Sequence, residues 1–272
     1  MHIEYYCPRW GSEDVEWKTF FQRIKDAGYH GVEYSIARDT PESELQEVWN
    51  QAERWGLFIV PQHYDTYEAD FNQHRDYYAA WLEKIKPFEA SKVNSQTGKD
   101  FFTFEQNRSL IEIATSFTAT TGIPVVHETH RNKFSFAAHI TKDYIEALPD
   151  LKITLDVSHW VNVAESYLQD QPEALQLAID RTEHIHARVG YPEGPQVPDP
   201  RAPEWQEALD AHLSWWDRIV ERKRKASDSV LTITSEFGSF PYMVPLPYTR
   251  QPIANQWEIN EYMMNLLKER YE

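Results

Sequence analysis

Glu128, Asp156, His186 and Glu236 each close a short apolar run: Ile123 to His127, Ile153 to Leu155, His184-Ile185, and Val230 to Ser235. A strand covered on both faces reads as a continuous apolar stretch, and a polar residue where it ends can project into a cavity shared with its neighbours. Two Glu, one Asp and one His offer oxygen and nitrogen donors without a thiolate. Such a set suits a divalent Mn, Mg, Co or Zn ion in an open site better than a structural zinc clamp. Strand ends are also simply wet, so any one of these residues means little alone. Four in successive units, with imidazoles beside them, favour a metal site on one rim of a barrel.

Further polar side chains gather at the same ends. His159 lies three residues after Asp156 and can face the same cavity, to bind a second metal or to hydrogen-bond a substrate oxygen. In His184-Ile185-His186-Ala187-Arg188 the alternate positions share a direction, so Arg188 can hold a substrate oxygen or neutralise a carboxylate of the site. His184 reads as a satisfied interior histidine, and His127, just before Glu128, should face the other way. His63 ends the third strand and reads as substrate-facing. Asn94, which opens the next loop, and His130 complete the substrate-binding candidates. Glu33 ends the second strand, where it can touch or support the site.

The elements needed to carry these residues alternate from end to end. Strands are expected at 3–7, 31–34, 57–60 leading to His63, 123–127, 151–156, 183–188 and 229–235, while Lys92-Val93-Asn94 begins the loop at 94–100. Helices are expected at 14–27, 41–55, 71–87, 104–120, 134–147, 161–181, 203–224 and 256–270, from apolar residues at helical spacing. Thr40 followed by Pro41 reads as an N-cap with proline at the first helical position, and Gly56 as the stop. Eight strand-then-helix units is the count of a closed parallel barrel, and 272 residues match the ~250 such a barrel needs. The expected fold class is α/β, a single (β/α)8 TIM barrel over 1–272, without repeat, linker or low-complexity segment. Two loops, 190–203 and 238–255, are long and proline-rich, follow strands, and read as binding loops or subunit contacts.

Composition narrows the partners. A formal charge of −16 repels nucleic acid at long range, so a small-molecule ligand is expected instead. One cysteine, Cys7, excludes an internal disulfide framework. No basic stretch followed by an apolar one opens the sequence and no run of ~18 residues is apolar, so a cytoplasmic protein without membrane partners is expected. Dinucleotide, Walker and serine-elbow motifs are all missing. A homo-oligomer is expected from the aromatics of the 238–255 loop.

Glu128, Asp156-Xaa-Xaa-His159, His186 and Glu236, in that order at the ends of strands five to eight, resemble the xylose isomerase-like TIM barrel superfamily, which holds the sugar phosphate isomerases and epimerases. The segment from Gly28 to Glu33 is similar to the family's second strand. The resemblance implies that Glu128, Asp156, His186 and Glu236 are metal ligands, that Glu128 and Glu236 are also the catalytic acid–base pair, and that His159 and Arg188 contact substrate. The Gly190–Gln196 stretch departs from the members we can place.

A divalent ion chelating a carbonyl and the neighbouring hydroxyl would acidify the C–H between them. One Glu would remove that proton and the other return it through an enediolate, to the opposite face for epimerisation or to the adjacent carbon for isomerisation. The expected function is therefore a metal-dependent isomerase or epimerase in carbohydrate metabolism, acting on a small sugar, keto-sugar or polyol. Elimination from the same enediolate, by a lyase or dehydratase, and a sugar-binding barrel without turnover are the alternatives. Lys99, Arg131, Arg188 and Arg201 are the basic residues expected near the rim, and without a glycine-rich phosphate cradle the balance leans to an unphosphorylated ligand. Trp10, Tyr64, Trp160, Tyr191 and Tyr242 are aromatic candidates for stacking on a sugar.

Overall fold

The computed structural model describes residues 1–226 and 230–272. Eight parallel strands close into a barrel in the order of the sequence: β1 (His2–Pro8), β2 (Gly31–Ser35), β3 (Phe58–His63), β4 (Val93–Ser95), β5 (Val125–Glu128), β6 (Ile153–Leu155), β7 (Thr182–His186) and β8 (Val230–Thr234). The ring closes where β1 pairs β8, with His2 opposite Val230 and Tyr6 opposite Thr234. The chain is thus a (β/α)8 barrel. The expected start of β8 at position 229 lies outside the described residues.

The helices pack around the ring: α1 (Trp17–Asp26), α2 (Glu42–Trp55), α3 (Phe71–Ile85), α4 (Phe104–Thr121), α5 (Ala138–Ala147), α6 (Val157–Ala164), α7 (Pro172–Arg181), α8 (Gln206–Lys225) and α9 (Gln256–Tyr271). Each turns an apolar stripe inward; α1 buries Phe20, Phe21 and Ile24. Thr103 and Gln106 form a capping box at the start of α4. No helix among the described residues is long and apolar enough to cross a membrane.

Several boundaries differ from the sequence reading. Pro41, not Thr40, is the N-cap of α2, and no side chain caps it. Asn94 lies inside β4, paired with Gln62, rather than opening a loop. The single helix expected at 161–181 is two. Asp156 caps α6 directly, accepting from the Ser158 N–H at 3.0 Å, and the chain leaves α6 through Glu165 in the left-handed region (φ 49°) before Pro172 starts α7. A helix that starts at Val157 puts His159 on its first turn, above the mouth of the barrel.

Candidate active site

The carboxyl-terminal ends of the strands converge on one buried cluster, as barrels of this kind require of their active sites. Glu128 ends β5, Asp156 follows β6, His186 ends β7, and Glu236 follows β8 by two residues. Each offers one donor atom, and these atoms all lie within 4.8 Å of one another. Glu128, Asp156 and His186 are fully buried and Glu236 is 5% exposed.

A ring of polar side chains holds the cluster. His186 Nε2 donates to Glu33 at 3.0 Å, which turns Nδ1 toward Glu236 Oε2 at 2.7 Å and Glu128 Oε1 at 3.8 Å. A carboxylate behind an imidazole in this way fixes its orientation and raises its basicity. Asn94 Nδ2 donates to Glu33 at 2.8 Å and to Glu128 at 2.9 Å. Gln62 and Gln96 donate to the same Glu128 carboxyl at 3.2 and 3.3 Å. Arg188 grips Asp156 through Nη2 and donates from Nε to Ser158 Oγ at 3.2 Å.

Glu236 sits at φ 53°, a left-handed backbone that a β-carbon disfavours and that recurs where a functional side chain must be aimed. Asn260 of α9 holds this turn from both sides. Its Oδ1 accepts from the Phe237 N–H at 2.8 Å, and its Nδ2 donates to the Phe237 carbonyl at 2.9 Å.

Burial and charge pull the carboxyls apart. Burial pushes Glu128 up to about 8 against the opposing pull of His186, and Asp156 up to about 6 against Arg188. Burial works the same way on Glu236 and Glu33, but the neighbouring cations outweigh it and hold both below the usual carboxylate range. Burial disfavours the His186 imidazolium, yet Glu236, Glu33 and Glu128 together hold it well above its ordinary value. Four carboxyls thus face two cationic side chains. His186 Nδ1 and Glu236 Oε2 are also buried without a properly formed hydrogen bond. Orphaned donor atoms of this kind, surplus acidity and a mixed oxygen and nitrogen set fit a divalent cation.

Beside the cluster, His130 and His159 pack with ring centroids 4.0 Å apart and planes tilted by 54°, and their nitrogens come within reach of Glu128. Burial drives both imidazoles well below their ordinary range, so both are neutral. His159 Nε2 accepts from Arg188 at 2.7 Å, which places its proton on Nδ1, buried and without a partner. His130 Nδ1 donates to the Arg131 carbonyl at 2.6 Å, which leaves Nε2 as an acceptor.

The loops close over this pair. Tyr242 lies under the Arg188 guanidinium at 4.6 Å, packs edge-on against Trp10 at 5.0 Å, and accepts from Arg131 at 3.2 Å. Gln196 and Gly238 exchange hydrogen bonds at 2.8 and 3.1 Å, which ties the two long loops together. Gly238 is required there, because a β-carbon would stand 2.0 Å from the Trp10 ring. The outer part of the 238–255 loop exposes Phe240, Val244, Leu246 and Tyr248.

Nearly all the expected residues meet in this cluster: Glu128, Asp156, His186, Glu236, His159, Arg188, His130 and Asn94. His63 does not. Its ring packs on Tyr78 and Trp81 of α3 at 4.8 and 5.1 Å, and its Nε2 lies 2.5 Å from Thr66 Oγ1. Alternation along β3 explains the correction, since Gln62 points inward to Glu128 and its neighbour must point outward. Trp160 is core, donating to the Ser135 carbonyl at 2.8 Å, Tyr191 packs on Trp205, and Arg201 pairs with Asp199 away from the cluster. Gln62, Gln96 and Asn260 were not singled out. Asn260 carried a signal, a polar residue among Ile259, Met263 and Met264 on the buried face of α9.

The sequence matches no family model and no curated protein. Solved structures do match. The probable 3-DHS dehydratase AsbF involved in petrobactin synthesis from Bacillus anthracis superposes with a TM-score of 0.61 at 18% identity, over 99% of this chain and 100% of that one. A sugar phosphate isomerase/epimerase from Parabacteroides distasonis gives 0.60 at 12% identity, covering 98% and 94%. D-psicose 3-epimerase gives 0.59 at 10% identity, covering 98% of both chains. The likeness extends over the whole barrel and shows the (β/α)8 fold. These neighbours are enzymes of isomerase, epimerase and dehydratase type, and at such identities the likeness speaks for the fold.

Proposed function

We propose that the protein is a metal-dependent isomerase or epimerase of a small sugar, keto-sugar or polyol, with Glu128, Asp156, His186 and Glu236 as metal ligands and Glu128 and Glu236 as the proton-transferring pair. The observation that carries this reading is the ring of four donor atoms within 4.8 Å, two of them on carboxyls from strands three places apart. A divalent ion there supplies Lewis-acid polarisation of a carbonyl and its neighbouring hydroxyl.

The chain's own residues do the rest. Glu236, held as a carboxylate by His186 and Arg188, is the better placed base for a C–H next to the carbonyl. Glu128, whose carboxyl burial makes easy to protonate near neutral pH, is suited to returning a proton from the other side. Arg188 and the unpartnered Nδ1–H of His159 are available to orient substrate oxygens. Tyr242 and Trp10 cover the mouth and exclude water.

A dehydratase is the second reading, favoured by His159: a fixed, unpartnered Nδ1–H can donate to a departing hydroxyl β to the carbonyl. Incubation of the Mn-loaded protein in D2O with free and phosphorylated ketoses, aldoses and inososes, followed by NMR, separates the outcomes. Deuterium next to a carbonyl without loss of water supports the isomerase or epimerase, and an unsaturated product supports the dehydratase. An inert panel with metal bound would leave a binding protein as the better description.

A further inference from the structure

Lys99 and Lys133 are 4% and 3% exposed, an unusual fate for lysine, and both stand in loops at the mouth of the barrel. Lys99 follows β4 and Lys133 follows β5. The two loops are joined where the Phe134 N–H donates to the Thr97 carbonyl at 3.3 Å, and Ser135 Oγ ties the second loop to the Glu128 carbonyl. Among the described residues neither ammonium has a hydrogen-bond or ion-pair partner; Lys99 Nζ lies over the Tyr67 ring at 5.7 Å.

Most of the nearby carboxylates are committed elsewhere; Asp100, whose charge acts on both lysines, is exposed to solvent and forms no ion pair with either. Asp65 accepts from the Arg38 N–H at 2.8 Å, Glu68 pairs with Arg38 at 2.6 Å, and Glu128 is held by Gln62, Asn94 and Gln96. Burial, then the neighbouring Lys99, pulls Lys133 down to about 8. A buried ammonium without a counter-ion is costly, and a pair of them beside a catalytic pocket is relieved by an anion that arrives with the ligand.

We propose that Lys99 and Lys133 form an anion subsite, so that the substrate is a hydroxy-carbonyl compound carrying a carboxylate or phosphate at the end away from the reacting carbons. Assigning the anion to a substrate rests on the enolising reading above; the anion site itself does not. The lean from sequence toward an unphosphorylated ligand is compatible with the carboxylate form.

The test uses metal-free protein in EDTA, so that neither turnover nor a bound metal enters, with inorganic phosphate and succinate as probes. For a Kd of about 1 mM, 20 mM probe should raise Tm by roughly 3 °C. Lys133→Met should weaken binding about tenfold or more, Lys99→Met should weaken it less, and Lys133→Arg should retain it. A response to phosphate alone identifies a phosphoryl group, and a response to succinate alone a carboxylate. Lys133→Met should itself fold at least as stably as the wild type, since a similar-sized apolar chain replaces an unpaired charge. If neither probe shifts the wild type, or if Lys133→Met binds as tightly, the subsite is wrong. Either result leaves deuterium exchange on the metal-loaded protein to be judged separately.

Discussion

Replacing Glu128 by Gln should change how the metal-free protein responds to pH more than it changes the fold. The Glu128 carboxyl is fully buried and pushed from its ordinary 4.5 up to about 8. An acid whose folded value is raised binds its proton more tightly when folded. Its contribution to stability is fully present below pH 4.5 and is lost as pH rises through about 8. Integrated between pH 5 and pH 8.5, the wild type should lose about 4 kcal/mol through this carboxyl. For a chain of this length that is roughly 7 °C in Tm. Glu128→Gln lacks the titrating group, so its Tm should fall by several degrees less over the same range, the difference being shared with Asp156, Glu236 and His186, whose charges act on Glu128. Differential scanning calorimetry in EDTA at both pH values measures the two slopes. Parallel slopes would refute the claim that a buried, reluctant carboxylate sits at the centre of the site. Adding Mn at pH 8 should restore the lost stability to the wild type and not to the variant.

Other expectations follow from the same geometry. Metal uptake should require both the Glu128 carboxylate and a deprotonated His186 Nδ1, so affinity should rise by more than tenfold per pH unit below about pH 8; titration calorimetry in buffers of different ionisation enthalpy should show proton release, and a flat profile would contradict it. Glu33→Gln, which leaves His186 without its supporting carboxylate, should weaken metal binding about 10- to 100-fold in a chelator competition, and unchanged affinity would remove Glu33 from the account. Asn260→Ala should lower stability by about 1–3 kcal/mol and reduce kcat more than it raises KM, because it frees the turn that aims Glu236; a pure stability loss would make Asn260 merely structural. Gly238→Ala should lower Tm and open the loop over the site, visible as increased Trp10 fluorescence quenching by acrylamide, since the added β-carbon overlaps that ring.

Much of this arrangement was legible in the sequence, for physical reasons that also mark its limits. A parallel strand buried on both faces is a continuous apolar run, so its end is visible, and the residue at the end is the one the barrel presents. Glu128, Asp156, His186 and Glu236 were found that way. Direction within a short strand is harder to read. In β3 the inward residue is Gln62 and not His63, and a run as apolar as Phe58-Ile59-Val60-Pro61 carries no alternation to say so. Asp156 as an N-cap was hidden because an aspartate before an apolar run serves equally as a strand end. The contacts made by Asn260, Gln196 and Tyr242 join segments far apart in the chain, and no local pattern encodes them.

The central claim is that Glu128, Asp156, His186 and Glu236 hold one divalent ion. Anomalous diffraction at the manganese edge from crystals grown with Mn tests it most directly. The account predicts a single strong peak enclosed by those four side chains, with His186 presenting Nδ1 and Glu33 remaining behind Nε2. A peak elsewhere, or none at saturating Mn, would contradict it.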